Sequence, residues 1–309
     1  MLNVFLALAA IAAVGSALHH LLPDLDIDAT RRQCGSLVLN VLLPALNIEV
    51  IYRSTAGRHL WQVPLAMLVG VLVCMSLALF VFRLIPGSRK VKSSLILGSA
   101  FGNVTYLGMP LLRGLFPEQL LHVTEIAILC EITVTSSDLI TGSLLDMFHH
   151  QGPRASVTTA LTQVLKFPLL WSAGLAALLR ISGIPLPGFL LMGLHLLGQS
   201  ASGLMLLVLG MALKPSVLAG SVSEVKRWWP MLVIKLGISP MVVGVAGSLV
   251  GLTALSFHAT TLEAAMPPQL FTLIVADRFG FDTEILAAAL ACVTIISFGT
   301  LPIVHCILA

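Results

Sequence analysis

The chain has 309 residues, 57% of them hydrophobic and 10% charged, with a mean hydropathy of +1.00, whereas an ordinary globular domain carries about 25% charged residues. That balance excludes a water-soluble domain. The net charge of +3 is the difference between 17 basic and 14 acidic residues; a nucleic-acid-binding reading has no basic cluster to stand on, and the expected surroundings are a lipid bilayer.

Apolar runs separated by charged or Pro/Gly-rich breaks predict ten membrane spans. They are helical because only helices and closed barrels satisfy the backbone in lipid, and a barrel would alternate. The first, Leu2 to Leu22, has no Lys or Arg before it and reads as a span, not a secretory signal. The next four are Cys34 to Ile51, Trp61 to Ile85, Leu95 to Phe116 and Leu120 to Phe148. The last five are Val157 to Ile181, Phe189 to Leu213, Trp229 to Leu252, Leu262 to Phe279 and Ile285 to Ala309. The five cysteines include no CxxC pair and read as packing residues, which leaves neither a disulfide framework nor a zinc site.

Basic residues set the expected orientation. The loops after odd-numbered spans hold Arg31, Arg32, Arg83, Arg89, Lys90, Lys92, Arg154, Lys214, Lys226, Arg227 and Arg278, against Arg53, Arg58, Arg113 and Arg180 in the others. Both termini are therefore expected to face outward from an inner (plasma) membrane. The connection 149–156 divides ten spans into a repeat over 1–148 and another over 157–309. Five is odd, so a second copy would enter the membrane inverted, the plan of many secondary transporters.

Span four carries Gly98, Gly102, Gly108 and Pro110, and its counterpart, span nine, carries Pro267 and Pro268. Proline removes a backbone donor and clashes with the preceding turn, so both spans are expected to break there. Unwound backbone at mid-membrane with exposed helix N-termini suits an anion. Around the first break lie Asn103, Thr105 and Tyr106; around the second lie Glu263, Met266 and Gln269. Asn103 is read both as an anion or amide contact and as a cap for the freed backbone.

Ionisable residues within spans are costly and read as functional. Glu131 and Asp138 share a face of span five with Thr135, either as a proton or cation relay or as a hydrogen-bonded seam. Lys235 in span eight is a counter-ion candidate, Glu49 is expected to reach the interface, and His195 and His305 read as packing histidines. Gly247 and Gly251 form a GxxxG pair, read as close helix packing. No HExxH, GxSxG, GxGxxG or P-loop is present, so neither an enzyme nor a cofactor is expected, and transport would be driven by gradients or potential.

The run GNVTYLGMPLL, the stretch LGMALKPS from Leu209 to Ser216, AAMPPQL followed by ADRFGFDTEIL, and SFGTLPI from Ser297 to Ile303 together resemble the auxin efflux carrier family, which includes the plant PIN auxin exporters. The resemblance implies ten helices in two inverted repeats, with a scaffold of spans one, two, six and seven. The remaining spans would form a moving transport unit, with the crossover marked by Pro110 and Pro267. It implies a homodimer through spans two and seven and gives Asn103 the family's substrate-contacting position. In span nine the plant members place a glutamine directly after the proline; here Pro268 stands there and Gln269 follows. No acid stands near Trp61, where the plant proteins have an aspartate, and the long central loop of many plant members is missing.

The expected function is alternating-access transport of a small organic anion, with Asn103, Thr105, Tyr106, Gly108, Pro110, Met266, Pro267, Pro268 and Gln269 at the substrate. Glu131, Asp138, Glu263 and Lys235 are expected to serve coupling. The alternatives are a sodium-coupled carboxylate or bile-acid-type carrier using Glu263, and a receptor that binds without transporting.

Overall fold

The computed structural model describes residues 2–22, 24–54, 61–149, 162, 165–213 and 225–309. Among them the elements are helices: α1 (Leu2–Leu21), α2 (Ile27–Arg53), α3 (Gln62–Leu84), α4 (Arg89–Ala100), α5 (Met109–Leu115) and α6 (Leu120–His149). These are followed by α7 (Pro168–Ile181), α8 (Gly188–Ala212), α9 (Val225–Leu249), α10 (Ala254–Ala264), α11 (Phe271–Arg278) and α12 (Thr283–Leu308). Six of them, α1, α2, α3, α8, α9 and α12, are long and apolar enough to cross a membrane. Apart from His149, the predicted connection 149–156 lies outside the described residues, as does the predicted start of span six.

Large apolar side chains face outward while ionisable ones are kept inside. Phe189 and Leu249 are 80% and 83% exposed, while Asp138 and Glu263 are fully buried. An apolar exterior with ionisable groups withdrawn into the protein is what a hydrocarbon solvent selects, because a charged or polar group facing lipid has no partner.

The helices pack in two groups. In one, α1 lies along α8, α2 along α7, and α8 also packs on α2. In the other, α3 packs on α9, α4 and α6, α10 on α9 and α6, and α12 on α4. The groups meet where α5 touches α1, where α6 touches α2, and where residues 104–108 touch α8.

Three helices contain a wide π turn just before a proline. Leu43, Met109 and Ser239 donate five residues back, to Val38, Val104 and Ile234, and Pro44, Pro110 and Pro240 follow directly. A proline in a helix clashes with the carbonyl four residues back and leaves it unpaired, and a five-residue turn ahead of it relieves that crowding.

Several predicted limits move. Span two begins at Ile27, capped by Asp26, because Arg31 and Arg32 lower the apolarity of a turn that is nevertheless helical. Span four begins at Arg89, capped by Ser88. Span nine begins at Ala254, capped by Thr253, eight residues before the predicted Leu262. Its polar residues Thr260, Thr261 and Glu263 weaken the apolar signal, yet all three are buried against protein. Gly251 is not a packing glycine: α9 has already ended, and Gly251 takes φ 75° while Leu252 donates back to Gly247 at 3.0 Å. That is a helix-terminating turn in which a residue without Cβ is favoured.

Candidate functional site at the paired helix breaks

Between α4 and the turn at Val104 the chain is extended through Phe101 and Gly102, and Asn103 restarts the helix. The Asn103 carboxamide oxygen accepts from the Tyr106 amide at 3.1 Å, satisfying one of the donors that a helix start leaves free. Between α10 and α11, Pro267 and Pro268 stand in succession. A residue preceding proline is pushed out of helical conformation, so Met266 and Pro267 are both driven toward extended backbone.

The two extended stretches pair. Gly102 and Pro268 form an isolated antiparallel bridge, in which Asn103 N donates to the Pro267 carbonyl at 2.7 Å and Gln269 N donates to the Phe101 carbonyl at 3.1 Å. Neither proline can donate, so the bridge uses a proline carbonyl and the first amide beyond the pair.

This corrects the expectation for Pro110. The break in span four lies at Phe101 to Asn103, and Pro110 sits within the first turn of α5, beyond the π turn that accommodates it. Glycine and asparagine, not proline, open this helix, because Gly102 lies where backbone meets backbone and Asn103 supplies the new cap.

Polar side chains surround the bridge. Asp138 accepts from the Gln269 side-chain amide at 2.6 Å and from the Thr272 hydroxyl at 2.8 Å, both on one carboxylate oxygen. Thr135 donates to Glu131 at 2.6 Å. The Asp138 bonds tie α6 to the start of α11. Lys235 donates to the Ser239 hydroxyl at 3.1 Å and to the Ala264 carbonyl at 2.9 Å. Its hydrogen-bond partners are neutral oxygens, one of them at the end of α10, so it caps a helix terminus. Glu263 packs against Gly108, where a Cβ would run into the carboxylate. The other Asp138 oxygen, both Glu263 oxygens and the Asn103 amide nitrogen are buried without a hydrogen-bond partner. Among the described residues, no group of three His, Cys, Asp or Glu side chains is placed to hold a metal ion.

Beside the crossing lies a cavity of about 700 Å³, between the first half of α2, α8 and the α11 region. Its lining includes Arg31, Arg32 and Asn40 from α2, Tyr106 from the turn after the first break, and Phe271 and Asp277 from α11. The Arg31 Nε is buried without a hydrogen-bond acceptor, 4.0 Å from Asp28. An opening of this size accommodates a small molecule, and it lies at the start of α11, where first-turn amides favour negative charge.

The sequence profile of the membrane transport protein family matches residues 4–154 and 149–305. The chain belongs to this family of membrane transporters, the auxin efflux carriers. Similar proteins include an uncharacterized transporter of Methanocaldococcus jannaschii, 23% identical over 272 residues that make up 85% of each chain. An uncharacterized transporter of Methanothermobacter thermautotrophicus is 26% identical over 86% of this chain and 85% of its own. The uncharacterized transporter YfdV of Escherichia coli K12 is 24% identical over the same shares.

Within this membrane transporter, Asn103, Gly108, Pro267, Pro268 and Gln269 gather at the bridge, with Glu131, Asp138, Glu263 and Lys235 packed around it. Tyr106 is the predicted site residue that lines the cavity. Met266 is fully buried. Sequence reasoning missed Arg31, Arg32 and Asn40. The signal available was a pair of arginines one turn ahead of an apolar run, with a single asparagine interrupting it. Glu49 also departs from expectation: it is buried, and His195 on α8 bonds it at 2.8 Å, making a polar tie between α2 and α8.

Proposed function

We propose that this membrane transporter carries a small organic anion, a carboxylate, by alternating access. The observation that carries the reading is the cavity, floored by Tyr106 and the start of α11 and rimmed by Arg31 and Arg32. Guanidinium groups pair with a carboxylate in a planar, two-pronged geometry, and the α11 terminus adds a partial positive charge. The cavity touches both helix groups, so a solute within it is exposed to relative movement of one against the other.

In this reading the described helices, with the interrupted pairs α4/α5 and α10/α11 each counted as one span, make ten spans. The spans form two inverted five-helix repeats, 1–148 and 157–309, joined through 149–156. The matching of the family profile in two segments that meet near residue 150 supports that division. Helices α1, α2, α7 and α8 serve as scaffold and the second group as transport unit, supported by the packing of each group on itself. Asn103, Thr105 and Gln269 shape the inner end of the substrate path, and Glu131, Asp138, Glu263 and Lys235 are the groups through which coupling would act. The basic-residue pattern supports termini outside an inner (plasma) membrane, and the apolar exposed face of α8, with Phe189 and Met192, suits either lipid or a second copy in a homodimer.

The test is a thermal-shift screen of purified protein against organic acids, followed by uptake of the stabilising acid into proteoliposomes with and without sodium. A stabilising carboxylate that crosses the sealed bilayer without sodium is expected. Flux that requires sodium replaces this mechanism with a sodium symporter, binding without flux replaces it with a receptor, and stabilisation by no carboxylate overturns the substrate class.

A further inference from the structure

A second cavity, of about 550 Å³, lies where α3 ends and α4 begins, and one of its walls is Leu145 of α6. Arg83, Arg89 and Lys92 line it, and among the described residues no acidic side chain does. Among the described residues none of these three cations forms an ion pair; Lys92 reaches the Arg83 carbonyl at 3.4 Å, a weak contact with a neutral group. Three like charges around one hollow repel one another unless an anion lies among them. The rest of the wall is apolar, with Leu79, Phe80 and Ile96, and Phe80 is 64% exposed.

The location narrows the anion. Helix α3 is a membrane-crossing helix that stops at Leu84, and Ser88 caps the next helix four residues later. The cations therefore stand at the edge of the hydrocarbon, and the exposed Leu79 and Phe80 lie one to two turns deeper. A soluble anion would meet the cations and leave that apolar wall uncovered. A lipid with a charged headgroup satisfies both halves, since basic hollows between membrane helices pair with phosphate while the acyl chain stays in the apolar layer. We propose that this cavity binds an anionic phospholipid, its phosphate among Arg83, Arg89 and Lys92 and an acyl chain against Leu79 and Phe80.

The proposal is tested on the full chain in neutral detergent, offered equal amounts of phosphatidylglycerol and phosphatidylcholine of the same chain length and examined by native mass spectrometry. Each cation near an anionic lipid contributes about fivefold. Retained phosphatidylglycerol should therefore exceed phosphatidylcholine by at least tenfold, and R83Q/R89Q/K92Q should bring the two to parity. The single substitutions, none at a buried position, should give partial losses, so the result stands even if the triple variant fails to fold. K90Q, which neutralises a neighbouring exposed cation outside the cavity, should change nothing, and Phe80→Ser should weaken retention. Equal retention of both lipids, equal loss in K90Q, or displacement of the lipid by millimolar inorganic phosphate would each overturn it.

Discussion

The backbone amide of Asn103 donates to the carbonyl of Pro267 at 2.7 Å, joining two interrupted helices across the middle of the molecule. The same residue caps the resumed helix through its side chain, so its backbone and carboxamide do separate jobs. Asn103→Ala leaves the bridge and deletes the cap. A cap deletion costs about 1 kcal/mol, so the melting temperature in detergent should fall by a few degrees while the transported anion binds more weakly. Asn103→Asp keeps an accepting oxygen and adds negative charge; it should melt near the parent and lose anion uptake. Uptake equal to the parent in both variants would remove Asn103 from the substrate path.

Gly108 and Glu263 form a steric pair across the crossing. Because a methyl at position 108 would meet the carboxylate, Gly108→Ala should destabilise by about 1–3 kcal/mol, as overpacking does. Shortening the opposing side chain with Glu263→Ala should recover most of the loss in the double variant. Strict additivity in thermal melts would show that the two residues do not meet.

Asp138 receives both the Gln269 and Thr272 donors. Asp138→Ala leaves two buried donors unmatched, at about 1–3 kcal/mol each, and Gln269→Ala removes one of them. A double-mutant cycle should therefore give a coupling of about 0.5–3 kcal/mol. A coupling of zero would place the two side chains in separate networks.

Arg31 is expected to act on affinity more than on folding. Losing a charge-assisted hydrogen bond costs about 1.5–3 kcal/mol, so Arg31→Gln should raise the half-saturating anion concentration by about tenfold or more with little change in melting temperature. Unchanged half-saturation in proteoliposome uptake would move the substrate away from α2.

Much of this architecture is written in the sequence. The apolar runs mark membrane helices because lipid leaves the backbone no other partner, and the shared face of Glu131, Thr135 and Asp138 on α6 follows from their spacing. The spot where span four opens is less legible. Pro110 is the louder signal, but a wide turn absorbs it, and the opening falls at Gly102 and Asn103, whose effect depends on the strand that meets them from α10 and α11. The roles of Arg31, Arg32 and Asn40 were hidden for a similar reason: a cavity exists between helices distant in sequence, and hydropathy read along one helix carries no trace of its neighbour. Thr260 and Thr261 show the same limit, since their polarity shortened the predicted span although protein, not lipid, surrounds them.

The wide turn at residues 38–42 also sets the rotational phase of α2. A regular helix advances about 100° per residue, so one surplus residue in that turn swings everything after it by the same angle. Arg31 and Asn40 thereby look toward the cavity while Asn47 meets Leu169 and Ser172 on α7 at 2.8 and 3.1 Å, and Glu49 meets α8. Excising Asn40 from this turn would keep every hydrophobic side chain in the protein's composition and still aim the lower half of the helix at the wrong partners.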